Sequence, residues 1–400
     1  VCAALVVCAV VATVVSGDAT VHAERLVPID GVADTSAVSR CDPTAPATCT
    51  LRQLADLAGI RLGASAEASE VLPGPYAETL RREFNSVTPE NAMKWYTTNP
   101  AAGVFDFADA DAVVGFAAAN TMAVRAHTLV WTQDTFTPQW VLDITDGDEL
   151  ASWVAQHVVT VAGRYAGQVP RWDVINEPLA TGGPTLSNSV FHRLLPPGWM
   201  ASVFSAVRAV DPAAELWINE YGTDWVPGKH EALVALVNDL LAAGAPIDGV
   251  GLQVHRPTVN GPDRATFERQ LRDFTDLGLA VAITELDIPI PPGEDAALVA
   301  QAEAYRTIVE ACLAVAGCEE ITVWGVTDAN TWLDNLGIFA TPTRPLLFDD
   351  DFAAKPAYVA VRDALAAFVV AQGAQPPDPS VPAPTTTAPT PVVATPAFTG

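Results

Sequence analysis

Short apolar, β-rich runs alternate with stretches of helical period along most of this chain, and that alternation limits the fold more than any other feature. Seven runs are plain: FNSVT (84–88), MAVRAHTLVW (122–131), RWDVIN (171–176), ELWIN (215–219), GVGLQV (249–254), LAVAITEL (279–286) and EITVWGV (320–326). An eighth, weaker one is IRLGAS (60–65). Between them, Leu150, Trp153, Val154, Val158, Val161 and Tyr165 fall on one helical face, as do Phe267, Leu271, Phe274 and Leu277. Strands separated by helices run parallel, because a crossover rather than a tight turn joins them. A doubly wound open sheet has the same alternation. The count of eight, and the lack of a glycine-rich phosphate turn after the first strand, favour an α/β fold of the (β/α)8 TIM-barrel type over residues 51–372.

The two ends read differently. Val1 to Ser16 is almost wholly apolar yet short of the ~20 residues a spanning helix needs. Val21-His22-Ala23 offers a cleavage site, so residues 1–23 read as a signal peptide, truncated at its front because neither an initiator Met nor a basic segment precedes the apolar run. The mature protein is then secreted and extracellular, with no membrane attachment after cleavage. Residues 24–50 are polar and aperiodic, a leader or surface wrap. From 373 to 400 Pro and Thr dominate, the composition of an extended linker or tail. Such linkers join a folded domain to another, so a further C-terminal module is one expectation and a plain tail the other.

Cys2 and Cys8 lie in the signal segment; the remaining cysteines form two local pairs, Cys41 with Cys49 and Cys312 with Cys318. Neither pair has zinc-ligand spacing, and in an oxidising compartment each can close a short loop. The Asp349-Asp350-Asp351 run lacks flanking ligands at calcium spacing and reads as a solvated acidic turn. No metal and no cofactor are expected. A formal charge of −26 argues against nucleic acid and anionic lipid as partners but says nothing against a neutral sugar polymer.

Several strands end in polar or ionisable residues after a buried run: Thr88, Glu90, Asn91 and Lys94; His127 and Trp131; Asn176-Glu177; Asn219-Glu220-Tyr221; Gln253 and His255; Glu285 and Asp287; Trp324, Asp328 and Trp332. In a barrel these ends converge on one C-terminal rim. Amides and carboxylates bond hydroxyls, and indole faces cover the apolar face of a pyranose, so the mixture suits a sugar polymer. Glycoside hydrolysis needs two carboxyl groups, one to protonate the leaving oxygen and one to attack or to activate water. Glu90, Glu177, Glu220, Glu285 and Asp287 are candidates, and periodicity does not assign the roles. Glu220 divides evenly between structural hydrogen bonding and tuning of the site.

WDVINEP closely resembles the acid/base strand of glycoside hydrolase family 10, and AITELDI resembles that family's nucleophile strand. FNSVTPENAMKW, RAHTLVW, LWINEY, DGVGLQVH, ITVWGVTDANTWL and LLFDDDFAAKPAY resemble its other strand ends, in order, over roughly residues 50–370. The resemblance implies an endo-β-1,4-xylanase that retains anomeric configuration, with Glu177 as acid/base and Glu285 as nucleophile. It implies that Asn176 bonds the sugar 2-OH, and that His255 and Asp287 orient the nucleophile. Glu90, Asn91 and Lys94 would grip the sugar on the non-reducing side. His127, Trp131, Gln253, Trp324 and Trp332 would wall the sites flanking the cleaved bond, and Tyr221 would stand on the leaving-group side. It also implies the Cys312–Cys318 disulfide. The expected partner is xylan or a xylo-oligosaccharide, and the protein a monomer.

The sequence departs from the family pattern at Thr132-Gln133-Asp134 after Trp131, in a longer Trp131 to Trp140 stretch, at Glu220 where Asp is usual, at Arg256 and at Pro178. Two other readings are a retaining hydrolase of cellulose or mannan, and a non-catalytic carbohydrate-binding protein; two intact acids oppose the second.

Overall fold

In the computed structural model of the chain, residues 41–290, 292–294 and 296–373 are described. The segment read as a signal peptide, that read as a leader up to residue 40, and the Pro/Thr-rich stretch from residue 374 lie outside the described residues.

Eight strands, β1 (Arg61–Ala66), β2 (Ser86–Pro89), β3 (Ala123–Trp131), β4 (Arg171–Asn176), β5 (Glu215–Glu220), β6 (Gly249–Leu252), β7 (Ala280–Leu286) and β8 (Cys318–Val323), close into one barrel. All neighbours pair in parallel and β8 returns to β1, with Arg61 opposite Glu320. The weak run at 60–65 is thus a full member. Its weakness has a cause: Gly63 sits where a Cβ would come 2.7 Å from Thr322 Oγ1. Two strands end earlier than expected. β6 stops at Leu252, and Val254 takes a φ of 61°. β8 stops at Val323, and Gly325 follows at a φ of 125°.

Helices between the strands bury their periodic faces on the outside of the barrel. In Gly147–Arg164, Leu150, Val154, Val158 and Val161 are buried, and Tyr165 just beyond its end is too. Asp146 caps that helix by accepting from the Glu149 N–H at 2.9 Å, a contact worth about 1 kcal/mol. Phe267, Leu271 and Phe274 do the same for Arg264–Thr275. Before β1, a disulfide joins Cys41 to Cys49 and leads into the helix Leu51–Ala58, whose Thr50–Gln53 capping box ties down its first turn. Cys312 bonds Cys318 across the turn into β8.

The barrel's interior is polar. Arg171 of β4 donates to Glu320 of β8 at 2.8 Å, and Arg125 of β3 donates to the same carboxylate at 3.1 Å. Arg125 also forks onto Asp173 at 2.7 and 3.2 Å, and both guanidiniums lie over the Trp217 ring at 4.7 and 4.8 Å. The Arg171–Glu320 bond joins strands on opposite sides of the ring, so it crosses the centre. Four positive and negative groups share the burial, which is the condition under which buried charge is tolerated. Burial alone would raise the Glu320 carboxyl, but Arg125 and Arg171 bring it down to about 2. Room for this filling comes from β6: a Cβ on Gly249 would meet the Trp217 ring at 2.6 Å.

Candidate active site

β4 carries Asp173 and Asn176, three residues apart, yet both face inward: Asp173 meets Arg125, and Asn176 meets Asn219 and Gln253. A regular strand would send them to opposite faces. The register shifts between Asp173 and Ile175 against β5, and between His127 and Val130 against β3. Such bulges re-aim side chains at barrel rims. The chain then turns sharply at Glu177, whose φ of 52° is uncommon for a residue with a Cβ, while its N–H still donates to Asn219 O at 2.8 Å.

A continuous set of bonds joins the two candidate acids. Gln253 Nε2 donates to Glu177 Oε1 at 3.1 Å and lies 3.3 Å from Asn176 Oδ1. Asn219 Nδ2 donates to Asn176 Oδ1 at 2.9 Å and to Glu285 Oε1 at 2.7 Å, and Thr284 fixes that amide by donating to Asn219 Oδ1 at 2.7 Å. On the other side of Glu285, its Oε2 is 3.0 Å from His255 Nε2. His255 Nδ1 stands 2.9 Å from Asp287 Oδ2, which accepts from the Trp332 indole at 2.7 Å. Asn176 Nδ2, buried, has no hydrogen-bond partner among the described residues.

The surroundings push the two carboxyls apart. Burial raises Glu177, and the Glu285 carboxylate adds to that, against the Gln253 hydrogen bond and the nearby Trp131 indole N–H; the net shift is upward. Burial would raise Glu285 as well, but His127, His255 and Lys94 outweigh it and hold its carboxyl below the ordinary value. Burial disfavours the charged form of His255, yet Asp287 and Glu285 raise it to about 10, so the ring is cationic beside Glu285 at neutral pH. Carboxyls shifted apart in this way are the arrangement from which acid and base roles can be divided.

The remaining candidates fall around this centre. Lys94, buried, donates to Asn91 Oδ1 at 3.0 Å and lies 4.7 Å from the Trp131 ring centre. Asn91 also accepts from Tyr96 at 2.6 Å and donates to Glu67. Glu90 accepts from Ser65 at 3.2 Å, and burial beside Glu67 raises it to about 8. His127 Nδ1 is 3.0 Å from Asp173, so the interior ion network reaches the site through it. Trp324 is buried, with its ring edge-on to His127 and His255 at 5.3 and 6.0 Å. Trp131 is a wall rather than an open platform: Phe136 from the unusual loop stacks on it at 3.7 Å, and it is Phe136 that is exposed. Tyr221 is anchored through its hydroxyl to Thr181 O at 2.8 Å.

Glu220 has the structural hydrogen bonding that is one of its two expectations. It accepts from the Leu179 and Tyr221 N–H groups at 2.8 and 2.9 Å, pairs with buried Lys229 at 2.9 Å, and is raised to about 8 by burial, with the Lys229 charge opposing and Glu177 adding to the rise. Three participants carry no reading as site residues in the sequence, Thr284, Asp173 and Lys229, and Asn219, one of the strand-end residues, has no role assigned to it there. Thr284 is within sight, since it sits one residue before a strand-end glutamate. Asp173 and Lys229 carried no signal of their own.

The model of glycosyl hydrolase family 10 matches residues 50–364. This chain belongs to that family. Among family 10 relatives, it is 39% identical over 299 residues to endo-1,4-beta-xylanase 2 of Aureobasidium pullulans, covering 72% of this chain and 81% of the relative. The native xylanase 10B of Thermotoga maritima superposes with a TM-score of 0.76 at 32% identity, over 81% of this chain and all 100% of that one. Xylanase 10B of Thermotoga petrophila RKU-1, solved in complex with xylobiose, gives a TM-score of 0.75 at 33% identity, over 80% and 98%. Family 10 membership accounts for the closed barrel and the rim-facing acids together.

Proposed function

We propose that this chain is a secreted endo-β-1,4-xylanase that cleaves internal bonds of xylan by double displacement, with Glu285 as nucleophile and Glu177 as acid/base. What supports the role assignment is that two carboxyls tied into one hydrogen-bonded set are shifted in opposite directions by their surroundings, Glu177 upward and Glu285 downward. Glu285, ionised and held from both oxygens by Asn219 and His255, attacks the anomeric carbon. Glu177 gives its proton to the departing glycosidic oxygen, so the bond to the leaving chain breaks as the ester to Glu285 forms. Water then enters, Glu177 takes its proton, the hydroxyl attacks the same carbon, and Glu285 leaves as carboxylate. Two inversions give net retention.

Asn176 Nδ2, with no protein partner, is placed for the sugar 2-OH. Asp287 and Trp332 steady His255. Glu90, Asn91 and Lys94 take the non-reducing side, Gln253, His127, Trp131 and Trp324 wall the centre, and Tyr221 takes the leaving-group side. Export rests on the apolar segment within residues 1–23, and among the described residues no helix is long and apolar enough to cross a membrane.

Glu285→Ala is expected to abolish reducing-sugar release from xylan, and Glu177→Ala to lower kcat by about 10²–10⁴-fold on substrates with poor leaving groups. NMR of the first product should show the β anomer. An α anomer, or full activity in Glu285→Ala, overturns the roles. Faster hydrolysis of carboxymethylcellulose than of xylan overturns the substrate.

A further inference from the structure

Glu90, Asn91 and Lys94 follow β2, and in a ring of eight strands β2 faces β6. A polymer entering over β2 and crossing between Glu177 and Glu285 therefore leaves over the loops after β5 and β6. An exposed large hydrophobic side chain there is Trp225, which is 41% exposed. It is held in place. Its indole N–H donates to His255 O at 3.2 Å, bridging the β5 and β6 loops. Its neighbour Asp224 forms a buried ion pair with Arg256, which also donates to Asn260 O at 2.7 Å. Gln270 donates to Thr223 O at 3.2 Å, and Val226 N–H to Gly222 O at 2.7 Å. Gly222, at a φ of 69°, makes the turn between Tyr221 and this segment. The Tyr221 ring lies 6.5 Å from that of Trp225, inclined at 60°, with Lys229 Nζ 3.7 Å from its centre.

A rigid, exposed ring whose only polar atom is already bonded has an apolar face left to offer, and it offers it at the exit of the cleft. The geometry points to Trp225 as a sugar-stacking platform of a distal leaving-group subsite, continuous with Tyr221, that takes the second or a later xylose beyond the cleaved bond. The Asp224–Arg256 pair is the clamp that holds it; Arg256 is one of the positions where this chain departs from its family's pattern. The inference rests on the xylanase reading and extends it.

The test compares kcat/KM on xylohexaose, which reaches the exit, with that on an aryl β-xylobioside, whose leaving group does not. In Trp225→Ala the ratio of the two should fall about three- to tenfold, the size of one lost aromatic contact. Trp225→Phe keeps a face but loses the indole N–H, and its ratio should stay within about twofold of wild type by the same reasoning. A purely structural tryptophan would lower both rates together. An unchanged ratio in Trp225→Ala, or an equal fall in both variants, overturns the proposal. A wild-type protein inactive on both substrates overturns the xylanase reading and this one with it.

Discussion

Glu177 and Glu285 are chemically identical, so whatever separates their roles must come from neighbours. Glu285 has cationic company in His255 and Lys94, whereas Glu177 has burial, a carboxylate and the neutral Gln253 amide. Activity needs Glu285 ionised and Glu177 protonated, so the pH profile of kcat/KM is a bell, its acid limb set by the lowered group and its alkaline limb by the raised one. The Gln253 amide steadies the charged form of Glu177. Gln253→Leu removes that support, and the alkaline limb should move to higher pH even as the maximal rate falls. Rates across pH 4–10 check this, and a limb that moves down contradicts the assignment of Glu177 as the acid.

At the level of elements, all eight strands were legible because each is an apolar run bounded by helix-period sequence. Strand phase was not. Nothing in RWDVIN announces that a bulge turns Asp173 and Asn176 to the same side, since that depends on register against β3 and β5. The glutamates and their strand-end companions were legible through motif order, whereas Lys229 reaches Glu220 from the first turn of a helix, a contact only the folded chain makes. The aromatic wall was half legible: Trp131 was in view, but its cover by Phe136 belongs to a loop without periodicity. β6 supplies a prediction of its own. A Cβ on Gly251 would lie 2.3 Å from Asn219 Oδ1 and 2.8 Å from Thr284 Cγ2. Gly251→Ala should therefore cost about 1–3 kcal/mol in urea unfolding and lower kcat by displacing the Asn219–Glu285 bond. Wild-type values for both would show that β6 has slack.

For the molecule as a whole, buried carboxyls set the dependence of stability on pH. Glu90 and Glu220 lie at about 8 when folded, against an ordinary 4.5. The folded chain thus binds more protons than the unfolded one in that interval, and stability falls as pH rises through it. Glu320, at about 2, contributes in the opposite sense: its stabilisation is complete above 4.5 and is lost as pH falls toward 2. Repulsion within a chain of net charge −26 adds to the alkaline decline. Thermal midpoints should peak near about pH 5, and Glu220→Gln should flatten the alkaline side. A midpoint that climbs steadily from pH 5 to 8 would contradict this.

The ion column from Arg171 through Glu320, Arg125 and Asp173 to His127 runs up the inside of the barrel and stops beside the reacting carboxyls. Protein engineers often treat a barrel as an inert shelf on which loops can be exchanged to change specificity. Here the shelf is wired to the cargo. A graft that imports rim segments from a relative, but leaves β3, β4 and β8 behind, would join new binding surfaces to another enzyme's wiring. The transplantable unit is the loop set together with its four inner charges and the imidazole that joins them to the rim.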